Sequence, residues 1–89
     1  MDITWTVGVL SAGAENLQPL AGGTSATRAG AVEAASDALV VAAMDHGRQE
    51  YRVRVADTLI VIIPGLTEQG EVDLVDLPAT LPRFERARR

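Results

Sequence analysis

The residues whose types could do chemistry are few. His46 is the only histidine, and it stands between Asp45 and, four positions on, Glu50. A metal site or an acid–base pair could be drawn from such a trio. Adjacent side chains at the end of a helix project in different directions, however. Zinc takes at least three nitrogen, sulfur or oxygen ligands in a closed geometry, usually with more nitrogen or sulfur than one histidine in a cysteine-free chain provides. A protonatable residue in a last helical turn is stabilised by the negative end of the helix dipole, and that is the reading taken for His46. Ser11, Ser25 and Ser36 are the available hydroxyl nucleophiles, but none lies in a strand–turn–helix elbow pattern. The sequence therefore assigns no catalytic residue, no metal ligand and no cofactor.

Two glycine-rich stretches bear on anion binding. Gly8 and Gly13 have the spacing of a phosphate loop, but the next positions are Ala14 and Glu15, where a lysine and a hydroxyl are required. A glutamate there repels phosphate, so that reading is rejected. Gly22, Gly23, Thr24 and Ser25 precede a helix, and free N–H groups at a helix start can hold an anion, with Arg28 one turn further in. Helix capping accounts for the same hydroxyls more economically. This stretch is the expected anion site, if there is one.

Two charged segments remain. Glu68, Glu71, Asp73 and Asp76 lack the ligand order and fixed glycine of a calcium loop and read as a solvated edge. Arg83, Arg86, Arg88 and Arg89 could grip phosphates, which would give salt-sensitive, unspecific binding to nucleic acid. Phe84 is the only aromatic near them, so there is no platform on which to stack bases.

These residues must be positioned by a small number of elements. The segment Thr24–Met44 carries Ala31, Val32, Ala35, Ala38, Leu39, Ala42 and Ala43 on one stripe at helical period. Glu33 and Asp37 lie opposite. Thr24 or Ser25 is the expected N-cap, and Gly47 the left-handed residue that ends the helix. Val40, Val41 and Met44 fall outside the stripe, so the end of the helix is apolar nearly all round. Either the chain's own loops cover it or another protein does.

Strands flank the helix. Ile3, Trp5, Val7 and Val9 alternate with Thr4, Thr6 and Gly8, the pattern of a half-buried strand. Ser11–Gly23 reads as a long loop. Tyr51, Val53 and Val55 alternate with Glu50, Arg52 and Arg54, the second set forming a solvated face. Ala56-Asp57-Thr58 is a tight turn. Leu59-Ile60-Val61-Ile62-Ile63 shows no alternation and is expected to be a central strand buried on both faces. Glu71–Leu77 is a weaker edge strand. Leu77-Pro78 and Leu81-Pro82 predict an extended connector, followed by a polar tail.

The expected fold class is α/β (α+β), one long helix on a small mixed sheet in the order β-α-β-β-(β). Residues 1–77 form the single domain and 78–89 the proline connector and arginine-rich tail. A chain of 89 residues buries only about 60–65% of its unfolded surface, so self-association would help it. No run reaches the ~20 apolar residues of a membrane span, and the start lacks the pattern of a secretory leader. The absence of cysteine fits a reducing compartment, so the expected location is the cytoplasm. All eight basic residues are arginine. Residues 1–82 hold four of them against eleven acids, whereas residues 83–89 hold four against one. An acidic body thus repels nucleic acid and a basic end attracts it.

A helix end and a strand with more apolar surface than the chain can cover both point to a protein interface. The function expected is a small non-enzymatic protein–protein interaction module, homodimeric, with Val40, Val41, Met44, Leu59, Val61 and Ile63 at the interface and a further protein as partner. The alternatives are a small nucleic-acid-associated regulator that uses Arg83, Arg86, Arg88 and Arg89, and an anion- or nucleotide-binding protein or enzyme that uses Gly22–Arg28.

Overall fold

The computed structural model describes residues 2–10, 16–75 and 77–87. Strand β1 (Ile3–Leu10) and strand β2 (Gln18–Ser25) form a hairpin. Helix α1 (Arg28–His46) follows, then a second hairpin of β3 (Glu50–Val55) and β4 (Thr58–Ile62). A 3-10 turn (Leu77–Ala79) leads into the short helix α2 (Thr80–Ala87). The sheet order is β2-β1-β3-β4, and every neighbouring pair is antiparallel. This is the expected class, one long helix laid on a small sheet, with β2 and α2 added to the expected elements.

The alternation in β1 and β3 decides which face α1 covers. Val7, Val9, Tyr51, Val53 and Val55 are buried, and they join Ala31, Val32, Ala35, Leu39, Ala42 and Ala43 of the helix in one core cluster. The small alanine side chains let α1 lie close to the sheet. Gly47 takes the positive φ (+75°) that favours glycine, but with ψ −150° rather than the left-handed helical form expected, and its N–H closes the helix on the carbonyl of Ala43 at 2.9 Å.

Tyr51 ties this helix end to the sheet. Its hydroxyl donates to the carbonyl of Gly47 and lies 3.3 Å from that of Ala42. The residue is fully buried. Tyr51→Phe leaves those carbonyls without their donor, and the expected loss of stability is about 1–2 kcal/mol in a urea melt. Burial also raises the Tyr51 pKa above its ordinary value. The phenol therefore stays protonated in the fold at pH values where the unfolded chain ionises. Its contribution is complete below about pH 10 and is lost as pH rises toward the folded-state value. The wild type should lose stability above pH ~10 more steeply than Tyr51→Phe; parallel pH curves would contradict this.

Four expectations are corrected. The helix begins later than Thr24: Thr27 is the N-cap, its Oγ1 accepting from the N–H of Gly30 at 3.0 Å. Thr24 and Ser25 are drawn instead into β2, opposite Thr4 and Ile3. Residues 18–23, read as loop, are part of that strand; residues 11–15 of the expected loop lie outside the described residues. The register steps between Val7, opposite Ala21, and Gly8, opposite Pro19. Leu20 is the extra residue of this bulge, which lets both Leu20 and Ala21 pack against the core.

The third correction concerns Leu59–Ile63. It is not central. β4 is an edge strand, and its side chains do alternate: Ile60 and Ile62 are buried while Leu59, Val61 and Ile63 are exposed. The fourth concerns the C-terminal segment. Glu71–Leu77 forms no strand, only an isolated bridge between Leu66 and Val72, and Asp76 lies outside the described residues. The expected connector is helical. Pro78 and Pro82 sit in first turns, where their missing N–H groups would have had no intrahelical partner. Leu77 and Leu81 are buried in the core cluster with Ile60 and Ile62.

Candidate functional site

The hairpin register brings the candidate residues of β4 together with a charged column on β3. Ala56 and Asp57 make the turn, so Arg54 pairs with Leu59 and Arg52 with Val61. Inward-facing residues of both strands join the core cluster. The outward face therefore carries Leu59, Val61 and Ile63 in a row beside Arg54, Arg52 and Glu50. Leu59, Val61 and Ile63 are 49%, 50% and 56% exposed. Across the sheet, Leu17 leans over Gly8, where a Cβ would stand 3.0 Å from its Cδ2. Gly8 is itself opposite Arg52. An apolar side chain thus lies on either side of the aliphatic stem of Arg52, which extends the apolar surface between them.

The charges on this face have a definite order. Arg52 pairs with Glu50 on the same strand, with Nε at 2.9 Å and Nη2 at 2.8 Å. Both contacts end on Oε2 of Glu50. Oε1 accepts no hydrogen bond among the described residues, and Arg54 has no ion-pair partner among them. An acid with one open oxygen lies at one end of β3, and an open guanidinium lies at the other.

The other interface candidates divide. Val40 is partly buried against the core. Val41 and Met44 are 57% and 66% exposed on α1. They belong to the helix layer and do not join the outward face of the sheet. Val41 borders a groove of about 270 Å³ between β2 and α1, with Leu20, Ala38 and Asp45.

The anion-site residues are not gathered at a helix start. Gly22, Gly23, Thr24 and Ser25 are strand residues. Arg28 is engaged elsewhere: its Nε meets Glu85 Oε2 at 2.7 Å, and its Nη2 meets Glu85 Oε1 at 2.9 Å and Thr58 Oγ1 at 3.2 Å. The hydrogen bond that the guanidinium donates to Glu85 raises its pKa above the ordinary value. This two-pronged contact joins the start of α1 to α2 and to β4. A cleft of about 490 Å³ runs between the helices, lined by Val32, Glu33, Asp37, Pro78 and Pro82. Ser36 also borders it, but its Oγ exposes less than 1 Å² and is not presented to the cleft.

His46 ends α1 with its side chain exposed. Glu50, once considered beside it, is held by Arg52. Among the described residues no group of three or more His, Cys, Asp or Glu side chains is arranged to hold a metal ion. In the acidic segment, Asp73 Oδ1 accepts from the N–H of Val75 and Thr67 Oγ1 from that of Glu71, which are turn contacts. Arg83 and Arg86 are exposed on α2, while Arg88 and Arg89 lie outside the described residues.

Sequence reasoning named Leu59, Val61 and Ile63 as interface candidates, did not name Leu17, and read Glu50, Arg52 and Arg54 as a solvated face. The tight turn at Ala56-Asp57 was the available signal, because a hairpin of fixed turn length fixes which residues share a face. The chain matches no protein-family model, no curated protein and no solved structure. Among the described residues no helix is long and apolar enough to cross a membrane.

Proposed function

We propose that this protein is a small non-enzymatic interaction module, and that it binds another protein chain through the sheet face opposite α1. The carrying observation is the row of Leu59 and Val61 on the edge strand and Ile63 just past its end, each about half exposed, with charged side chains alongside. Completing the burial of each is worth about 1 kcal/mol. Val41 and Met44 are exposed on α1 with no ion pair beside them among the described residues.

The test compares Val61→Arg with Met44→Arg in cell lysate, scoring cross-linked adducts of the chain by mass. Both sites are exposed, so each change should alter stability by no more than about 0.5 kcal/mol. Val61→Arg is expected to reduce adduct formation by more than about tenfold, and Met44→Arg to leave it unchanged. The opposite pattern, or no adduct in any form, contradicts the reading.

A further inference from the structure

We infer that the partner of this face is a second copy of the chain, docked on a two-fold axis that crosses the strands at the Arg52–Val61 row. The inference rests on the reading of the face as an interface and adds the identity of the partner and its register. An axis lying between two sheets and perpendicular to the strands reverses strand direction but keeps each strand opposite its own copy. Across it Val61 meets Val61, and Leu59 meets Ile63. The same operation lays Arg54 of each copy over Glu50 of the other.

The order of charges on β3 supports this axis. Glu50, Arg52 and Arg54 follow one another outward along the strand. Each open Glu50 Oε1 receives the unpaired Arg54 of the facing chain, while Oε2 keeps its own Arg52. One symmetry element therefore matches apolar to apolar at Val61 and acid to base twice, as an isologous interface requires, while the two Arg52 side chains that meet on the axis are each paired with Glu50 Oε2 of their own chain. An axis parallel to the strands would match neither end of β3 with its opposite charge. Stacked sheets rotate by about 30°. Residues two places from the axis then shift by roughly 3–4 Å at strand spacing, within the reach of an arginine side chain.

The face is small. A four-stranded sheet of this length presents roughly 400 Å² in projection, against about 800 Å² per partner in a standard interface. The dimer is accordingly a dissociable one, in the micromolar range of affinity.

The test is charge exchange in the full chain, read as the dissociation constant by sedimentation. Glu50→Arg sets two arginines against each other at each end, and Arg54→Glu sets two glutamates against each other. Each single change is expected to weaken self-association by at least about tenfold. The double variant, Glu50→Arg with Arg54→Glu, reverses the order of charges and gives Arg52 a new neighbour of opposite sign at position 54. It should return to within about threefold of the wild type. Thermal melts check folding, and Arg54→Gln, neutral at an exposed site, is expected to weaken association less than Arg54→Glu. Singles that associate like the wild type, or a double that does not recover, overturn this register; if Val61→Arg still abolishes association in that case, the interface itself stands. A wild type that stays monomeric at high concentration overturns the second copy as partner, and lysate adducts with a different protein would then leave the module reading intact.

Discussion

Leu81→Ala is expected to lower the unfolding free energy by about 3 kcal/mol, within the range for a buried leucine truncated in a packed core. Leu81 is fully buried and shares the core cluster with Leu77, Ile60 and Ile62. For 89 residues the total stability is about 4–13 kcal/mol, so this one change removes a large fraction of it. The Arg28–Glu85 contact cannot substitute, because a partly exposed ion pair contributes only up to about 1 kcal/mol. The apolar anchor, not the salt bridge, decides whether α2 stays on the body. A urea melt of the full chain measures the loss. A change below about 1 kcal/mol would mean that α2 is peripheral and that its expected burial is wrong.

The second large effect is expected at Gly23. A Cβ built there would lie 3.1 Å from Cζ2 of Trp5 and 3.2 Å from its Cε2 and Nε1. Trp5 and Gly23 are cross-strand partners, and the indole lies on the space a side chain would fill. Valine is otherwise favoured in strands, by up to about 1 kcal/mol, so propensity and packing predict opposite signs. Displacing the ring costs more: Gly23→Val is expected to destabilise by about 2 kcal/mol. Trp5 is the only tryptophan, so its fluorescence reports directly. The expected result is a red-shifted emission together with a lower melting temperature. An unchanged spectrum with raised stability would show that propensity wins.

Gly23 also shows why β2 was hidden. Gln18–Ser25 contains a proline, two glycines and no aromatic or long β-branched residue. Its strand state is imposed by β1, and the bulge at Leu20 breaks whatever alternation the segment had. The helix stripe was legible because seven alanine, valine and leucine positions repeat at one period, and all but the partly buried Ala38 are buried. Its start was not, because Thr24, Ser25 and Thr27 are chemically equivalent caps and only the pairing of Thr24 and Ser25 with β1 separates them. The Leu59–Ile63 run concealed its own geometry. When every residue is aliphatic, the two faces of a strand cannot be told apart from sequence, and a central position was inferred for what is an edge. Leu77 and Leu81 were masked by the prolines after them, which are tolerated in first helical turns. Of the candidate site, the apolar row was visible and its neighbours were not, since Leu17 reaches the face only through the fold.

The measurement that tests the central claim most directly is solution mass by light scattering, on the wild type and Val61→Arg, across about a hundredfold dilution in the micromolar range. The wild type should move from twice the chain mass toward the chain mass on dilution, and Val61→Arg should stay at the chain mass throughout. Equal masses for the two proteins at every concentration would contradict self-association through the outer face of the sheet.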